Sequence, residues 1–504
     1  MKKQLFIIGL LTLGFYSHAV SQSKSYETKF TTTNAKVFGV VGNTTNLIVA
    51  GDNSYNIIQT TDGTMLNDKT FSSTGVSIDK ADIIQYCEKT SMLIVGNTKT
   101  NTISAIEVNA GSKKWELSTF INLKSAKFNI YDGYLLVSES KDKKNNALTC
   151  FDINTGNKLW SLENEPNLIT SVFYLPEEKL IYIPSNTDWA YRNKTQNIRF
   201  ISIDKGNLEF SVDVTGWIAS SFYNKYKKTL FIHNLIQETN SSVSCISLTN
   251  KSIKWTTKAT NKTSQTPILI HDFYSSFSIV NNNVILITDG IEAFDLENGT
   301  QKYNVAYRPY VPSGPGHYTD GIFSPIFMDN SIIIADGTKG DISIKNIDIN
   351  TGKVLWVSEP QKGKEFAPMA DISMQTNSVI IQFGGVCNFV SQKNAGTTSL
   401  QTPCSIVSFD LNTGKKNWGI DYKKGVFVSG INKDNVIAFS GNEIQTIDLT
   451  NGTVTNTATS PFDEKVFITK SAWVKKYKKS GENFDFQNRL YNNVSTYSIK
   501  QIEF

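Results

Sequence analysis

Histidine and cysteine are scarce in this chain of 504 residues, which has four of the first and five of the second. The cysteines, Cys87, Cys150, Cys245, Cys387 and Cys404, include no adjacent pair and no C-x-x-C-H haem attachment. One histidine lies within the first 22 residues, and the others, His233, His271 and His317, are not spaced as metal ligands. No G-x-S-x-G elbow, phosphate-binding loop or His-Glu-x-x-His helix is present. Nucleophilic, phosphoryl-transfer and zinc chemistry therefore lack a local motif. Long Ala/Leu/Glu/Lys windows of the kind that make helices are also missing. No stretch beyond the N-terminus approaches the ~20 apolar residues of a membrane helix. Excess charge is small: +5 in all, or +3 without Lys2 and Lys3, with the lysines scattered. Nucleic acid is not an expected partner.

What is present begins with MKKQLFIIGLLTLGFYSHAVSQ, residues 1–22. A Lys2-Lys3 start, an apolar run from Leu5 to Phe15 and a small-x-small site at Ala19-Val20-Ser21 predict a cleaved signal peptide. No cysteine follows the run, so no lipid anchor is expected. The reading is an exported monomer, periplasmic or secreted, with a lead-in over 23–34.

From there the chain repeats one phrase. FDINTGNKLW (from Phe151), IDINTGKVLW (from Ile347) and FDLNTGKKNW (from Phe409) are the clearest of nine copies. Glycine holds one position in eight of them: Gly63, Gly111, Gly156, Gly206, Gly299, Gly352, Gly414 and Gly452, with Lys251 the exception. Each copy reads as strand, tight turn, strand, and the glycine supplies the positive φ that ends the turn. Asp152, Asp295, Asp348, Asp410 and Asp448 precede the turns. A short carboxylate there accepts hydrogen bonds from turn N–H groups, so these aspartates are read as structural rather than catalytic. Four residues after the glycine stands an aromatic: Trp115, Trp160, Phe210, Trp255, Tyr303, Trp356 or Trp418. One ring per repeat at a fixed offset predicts docking between neighbouring sheets. The first and last copies have Asn67 and Asn456 instead.

Two or three further short strands fit between copies. Four strands in 40 to 50 residues make the blade of a β-propeller, so the fold class is all-β: a single propeller of about eight four-stranded blades over residues 35–460. Residues 461–504 are read as strands that close or cap the ring; one reading has the terminal repeats share a blade, and seven, eight or nine blades stay open.

The pattern FDxNTGKxxW is similar to the tryptophan-docking motif of the pyrroloquinoline-quinone-type propeller repeat, over roughly Ala35 to Ser460. That resemblance implies either a quinoprotein dehydrogenase or a non-catalytic envelope propeller. The dehydrogenases, by the same resemblance, need an adjacent-cysteine disulfide and calcium ligands beside the quinone. Because no two cysteines adjoin, the expectation is the non-catalytic branch, with no cofactor and no metal. A quinone-linked or other enzyme that uses the central funnel is the alternative.

Loop lengths divide the two faces of the ring. Connections between first and second strands (131–133, 176–179, 328–331, 432–435) and the glycine turns are short. Longer segments fall between second and third strands, at 140–147, 186–197, 236–242 and 387–404, and in a blade-to-blade crossing at 308–321. A binding site for a protein or glycan is expected on that elaborated face. Its residues are Asp188, Trp189, Tyr191 and Arg192 in one loop and Tyr307, Arg308, Tyr310, His317 and Tyr318 in the other, types that hot spots favour. A disulfide between Cys387 and Cys404 is expected to clip the longest insertion, with Cys87, Cys150 and Cys245 as buried thiols.

Overall fold

In the computed structural model the described residues run from 26 to 501. The longer stretches left out are 31–35, 60–63, 141–145, 186–193, 261–275, 307–317, 320–325, 363–368, 391–396, 460–465, 469–472 and 477–496. Strands dominate. The helical pieces are single 3-10 turns at Ser72–Thr74, Glu88–Thr90 and Pro176–Glu178. No described helix is long and apolar enough to cross a membrane.

Among the described residues the strands form nine successive antiparallel sheets, at 36–70, 83–117, 127–165, 173–215, 217–259, 276–306, 326–357, 369–422 and 426–459. Each is one copy of the repeat and one blade of a β-propeller. In the third, Asn146–Asp152 turns through Gly156 into Lys158–Glu165. Nine such sheets stand where about eight are expected, because the first and last copies, despite lacking the aromatic, complete sheets of their own. The chain ends meet separately. Tyr26–Phe30 pairs with Tyr497–Gln501, which pairs with Trp473–Lys476, and that with Val466–Ile468. These strands make a tenth, composite sheet from the two ends of the described residues.

Burial follows strand position. Second strands lie between neighbours on both faces, so Asn283–Ile287 (NVILI) is buried throughout and Met92–Asn97 through Gly96. Such strands read as continuous apolar runs. Outermost strands alternate instead, as Met65–Thr70 and Gln301–Ala306 do. Each described pair of consecutive sheets shares a core. Between the second and third sheets it holds Ile94, Ala105 and Trp115 against Leu135, Val137, Phe151 and Ile153. Side chains of this size contribute about 1.5–3 kcal/mol each when removed from water.

The aromatic after each glycine leaves its own sheet and lies on the turn of the next. Trp160 Nε1 donates to Ile203 O at 2.7 Å, and its ring covers Gly206 so closely that a Cβ built there would stand 2.4 Å from Trp160 Cγ. Glycine at this position meets two demands at once, φ of +72° and the space for the ring. The same donation runs from Trp115 to Ile153 O at 2.7 Å, Tyr303 Oη to Ile349 O at 2.7 Å, Trp356 to Leu411 O at 2.8 Å and Trp418 to Leu449 O at 2.9 Å. Trp255 reaches Leu296 O at 3.4 Å. Beneath each turn the aspartate acts as the sequence implies. Asp410 Oδ1, for example, accepts from Asn412 N at 3.0 Å and Thr413 N at 2.8 Å. The Thr413 hydroxyl, which also donates to Asp410 Oδ1 at 2.8 Å, and after it those N–H donors hold the Asp410 carboxyl below its usual range.

Two seams depart from the rule. In the first sheet Asn67 occupies the docking offset, and the fully buried Tyr55 supplies the missing hydroxyl from the neighbouring strand. Tyr55 Oη donates to Val108 O at 3.2 Å, and Asn67 Nδ2 stands 3.4 Å from both oxygens. In the fourth sheet Phe210 has no donor, and its ring stacks on Phe200 at 4.2 Å with 6° between planes. The turn opposite carries Lys251 at φ +55° instead of glycine, and its ammonium pairs with Glu209 at 3.1 Å. Aromatic donor and glycine are lost together, at one seam.

This pairing predicts opposite outcomes for two substitutions. Gly206→Ala forces a Cβ into the Trp160 ring and should destabilise by more than about 2 kcal/mol. Lys251→Gly relieves a left-handed residue and gives up an exposed ion pair, so it should stay within about 1 kcal/mol of wild type. Urea unfolding decides; equal losses would refute the ring-on-glycine account.

Candidate binding face

Which turns share a face is fixed by one backbone bond in each of the second to ninth sheets. The residue just past the third strand, whose carbonyl receives the docking aromatic wherever there is a donor, turns its own N–H back to the first loop of its sheet. Ile153 N donates to Gly133 O at 2.8 Å, Ile203 N to Lys179 O at 3.0 Å, Leu248 N to Lys228 O at 2.9 Å and Ile349 N to Asn330 O at 2.9 Å. First-to-second connections and glycine turns are therefore tied together on one face. They are short, as in Tyr131 to Tyr134 and Leu175 to Leu180. In an antiparallel meander the remaining connections emerge on the opposite face.

That opposite face differs from the sequence expectation in two places. The segment 236–242 is a tight hairpin rather than a long loop, because Gln237 pairs with Asn240. The insertion at 387–404 is mostly strand: Ser378–Val390 and Thr397–Asp410 form one long hairpin that shifts register between Phe383 and Gly385 and pairs on to Phe389 and Thr397. Polar alternation rich in Ser, Thr, Gln and Asn hid those strands, since their pairing depends on backbone bonds and not on an apolar face. The crossing after the sixth sheet joins this hairpin, with Tyr318 opposite Val390 and Thr319 opposite Phe389.

Of the expected site residues, Asp188, Trp189, Tyr191, Arg192, Tyr307, Arg308, Tyr310 and His317 lie outside the described residues. Tyr318 is placed by its backbone alone, in the two-residue strand beside the hairpin. Register sets Cys387 across from Ser399 and Cys404 across from Tyr422, so the two are not cross-strand partners. Cys87, Cys150 and Cys245 are buried free thiols in the second, third and fifth sheets. Burial pushes the thiols of Cys150 and Cys245 up to about 12, far from reactivity.

Charged groups near this face serve the seams. Arg199 grips Glu165 of the preceding sheet with two bonds of 2.8 and 2.9 Å. Glu292, fully buried, accepts from Thr260 N at 2.7 Å and Gln301 Nε2 at 2.6 Å. Among the described residues no three His, Cys, Asp or Glu side chains gather as a metal site.

His233 is fully buried, with its ring edge-on to Phe277 at 6.4 Å. Burial pushes its pKa from 6.5 down to about 3. Between those values the unfolded chain holds a proton that the folded protein refuses, so stability rises with pH through the window and falls on acidification. From pH 7 to pH 5 the loss should be about 2 kcal/mol. Denaturant titrations at both pH values should show the difference shrinking by about that amount in His233→Gln. An unchanged difference would contradict a neutral buried imidazole.

The sequence profile of the family described as outer membrane protein assembly factor BamB matches residues 89–302 and 227–458. No curated protein sequence matches. Similar solved structures include BamB from Moraxella catarrhalis, at 12% identity and TM-score 0.28, covering 66% of this chain and 96% of that one. The Dos1 propeller is similar at 11% identity and TM-score 0.39, covering 71% and 91%. The dihydro-heme d1 dehydrogenase NirN in complex with DHE is similar at 9% identity and TM-score 0.34, covering 74% of each chain.

Proposed function

Because the chain belongs to the family described as outer membrane protein assembly factor BamB, we propose that it is an exported envelope propeller that works by holding a protein partner, without chemistry of its own. The observation that carries this reading is the inequality of the two faces. On one, the described connections of the second to ninth sheets are short turns held to their neighbours by a hydrogen bond, as at Ile153 and Gly133. The other bears the long hairpin of the eighth sheet, the crossing strand against it and the longer connections. A frame of packed sheets with one elaborated face suits recognition, since binding residues tend to sit on loops carried by a rigid scaffold.

The loops at 186–197 and 308–321 are the proposed contact, with Trp189, Tyr191, Arg192, Tyr310 and Tyr318 as anchors and Pro309, Pro312 and Pro315 limiting the freedom of the second loop. Photo-crosslinkers placed in cells at 189 and 310 should capture a partner, and ones at 154, 350 and 412 on the short-turn face should not. Trp189→Ala and Tyr310→Ala should each weaken capture by about 2 kcal/mol or more, with the melting temperature unchanged. Crosslinks confined to the short-turn face, or a fall in melting temperature without loss of capture, would overturn the assignment.

A further inference from the structure

Each of the nine sheets ends in an outermost strand whose outer edge meets no described strand. An open edge is a template for pairing, and charged side chains are the usual guard against it. Most of these strands carry such a guard, as Ser112–Leu117 (SKKWEL) and Lys416–Tyr422 (KNWGIDY) do. The ninth, Val454–Thr459 (VTNTAT), is uncharged but polar. The seventh, Val354–Val357, reads VLWV and has neither charge nor hydroxyl.

Only Trp356 of that strand turns inward, with its ring on Gly414 of the eighth sheet. Val354 is 46% exposed, Leu355 55% and Val357 50%, whereas each other outermost strand exposes at most one large apolar side chain among the described residues. Single exposed apolar residues are ordinary, but contiguous ones mark a contact surface. The repeat does not call for Val357. Five residues after the glycine the other sheets have a polar residue or glycine, Glu116, Thr256 and Asn304 among them. The backbone is open as well. Ser358 N donates to Ile344 O at 2.8 Å and Trp356 pairs with Asn346, so both turn toward the third strand. Bonding directions alternate along a strand, so Val357 between them turns its N–H and C=O away from the sheet.

Charge at the two ends says what fits. Lys353 lies just before the strand and Glu359 two residues past Val357, both exposed. An antiparallel copy of the same segment sets the Lys353 end of one strand against the Glu359 end of the other, at both ends at once. Apolar side chains then meet between them, and no like charges stand opposite, which would be destabilising. A two-fold axis produces that arrangement from identical surfaces. Pro360, which has no N–H, follows directly and keeps the shared sheet from growing longer.

We propose that the outer edge Val354–Val357 of the seventh sheet is a self-association surface, on which two copies of this chain pair antiparallel about a two-fold axis. The sequence leads one to expect a monomer, and the contact is small, well below the ~800 Å² per partner of a stable interface. The dimer is therefore weak and forms where the protein is concentrated. The edge belongs to a strand and not to the long-loop connections, so this inference is independent of the partner contact proposed above.

Sedimentation equilibrium of the purified full protein from about 5 to about 500 µM tests it, and a reversible dimer with a dissociation constant of about 300 µM or tighter is expected. Leu355→Lys with Val357→Thr installs the residue types that Lys254 and Thr256 supply at the same offsets in the fifth sheet. That variant should keep its melting temperature and lose at least tenfold in dimer affinity. Lys353→Glu and Glu359→Lys should each weaken the dimer roughly threefold or more, and the two together should restore it, because the exchanged ends again meet opposite charges. A protein that stays monomeric throughout the range overturns the proposal, as does a dimer that survives the Leu355 and Val357 changes. If those changes lower the melting temperature, the charge exchange decides: recovery in the double exchange supports the edge, and its absence overturns it. A photo-crosslinker at 355 that captures a different protein and never a second copy overturns it equally.

Discussion

The structure depends on one contact made again and again: an aromatic donor from one sheet lying on the glycine turn of the next. A single four-stranded meander buries one face at most, so each sheet needs neighbours on both sides. The indole of Trp160 meets that need with ring area over Gly206 and direction toward Ile203 O. Area supplies most of the stabilisation, and the hydrogen bond fixes register, since a buried carbonyl left without a donor is costly. Because the contact always joins consecutive sheets, the chain assembles from neighbours in sequence, and each seam is a local decision.

The same contact gives the molecule its polarity. The residue that accepts the indole also closes its own sheet, as Ile153 does through Gly133 O at 2.8 Å and Ile203 through Lys179 O at 3.0 Å. One end of such a sheet is thus fastened twice and has little room for insertion. Extra residues accumulate at the other end, where a longer hairpin such as Ser378–Val390 with Thr397–Asp410 disturbs nothing. The face with room to vary is the face on which partner recognition is proposed.

Much of this was legible in the sequence. The glycine and aromatic spacing announces the docking, because both residue types are forced, one by φ and the other by the gap it fills. The turn aspartates were legible for the same reason. What escaped depends on register, which sequence carries weakly. Tyr55 replaces the missing aromatic of Asn67 from a different strand, so no fixed offset reveals it. Nine copies of the repeat were legible, but whether the terminal two complete sheets of their own was not, because they keep their strands without the rings. The chain ends pair at Tyr26 and Gln501, across a separation that no local pattern spans.

If the docking bond locks each seam, the seam without it should open first. Native-state hydrogen exchange at Ile153, Ile203, Leu248, Ile349, Leu411 and Leu449 tests this directly. All six amides make the same bond to their own first loop, at 2.8 to 3.0 Å, and they differ in what their carbonyls receive. Five take a Trp or Tyr donor, and Leu248 faces Phe210, which has none. The account predicts that Leu248 exchanges faster than the other five, by about tenfold for a bond worth about 1.4 kcal/mol. Protection at Leu248 equal to or greater than theirs would contradict it.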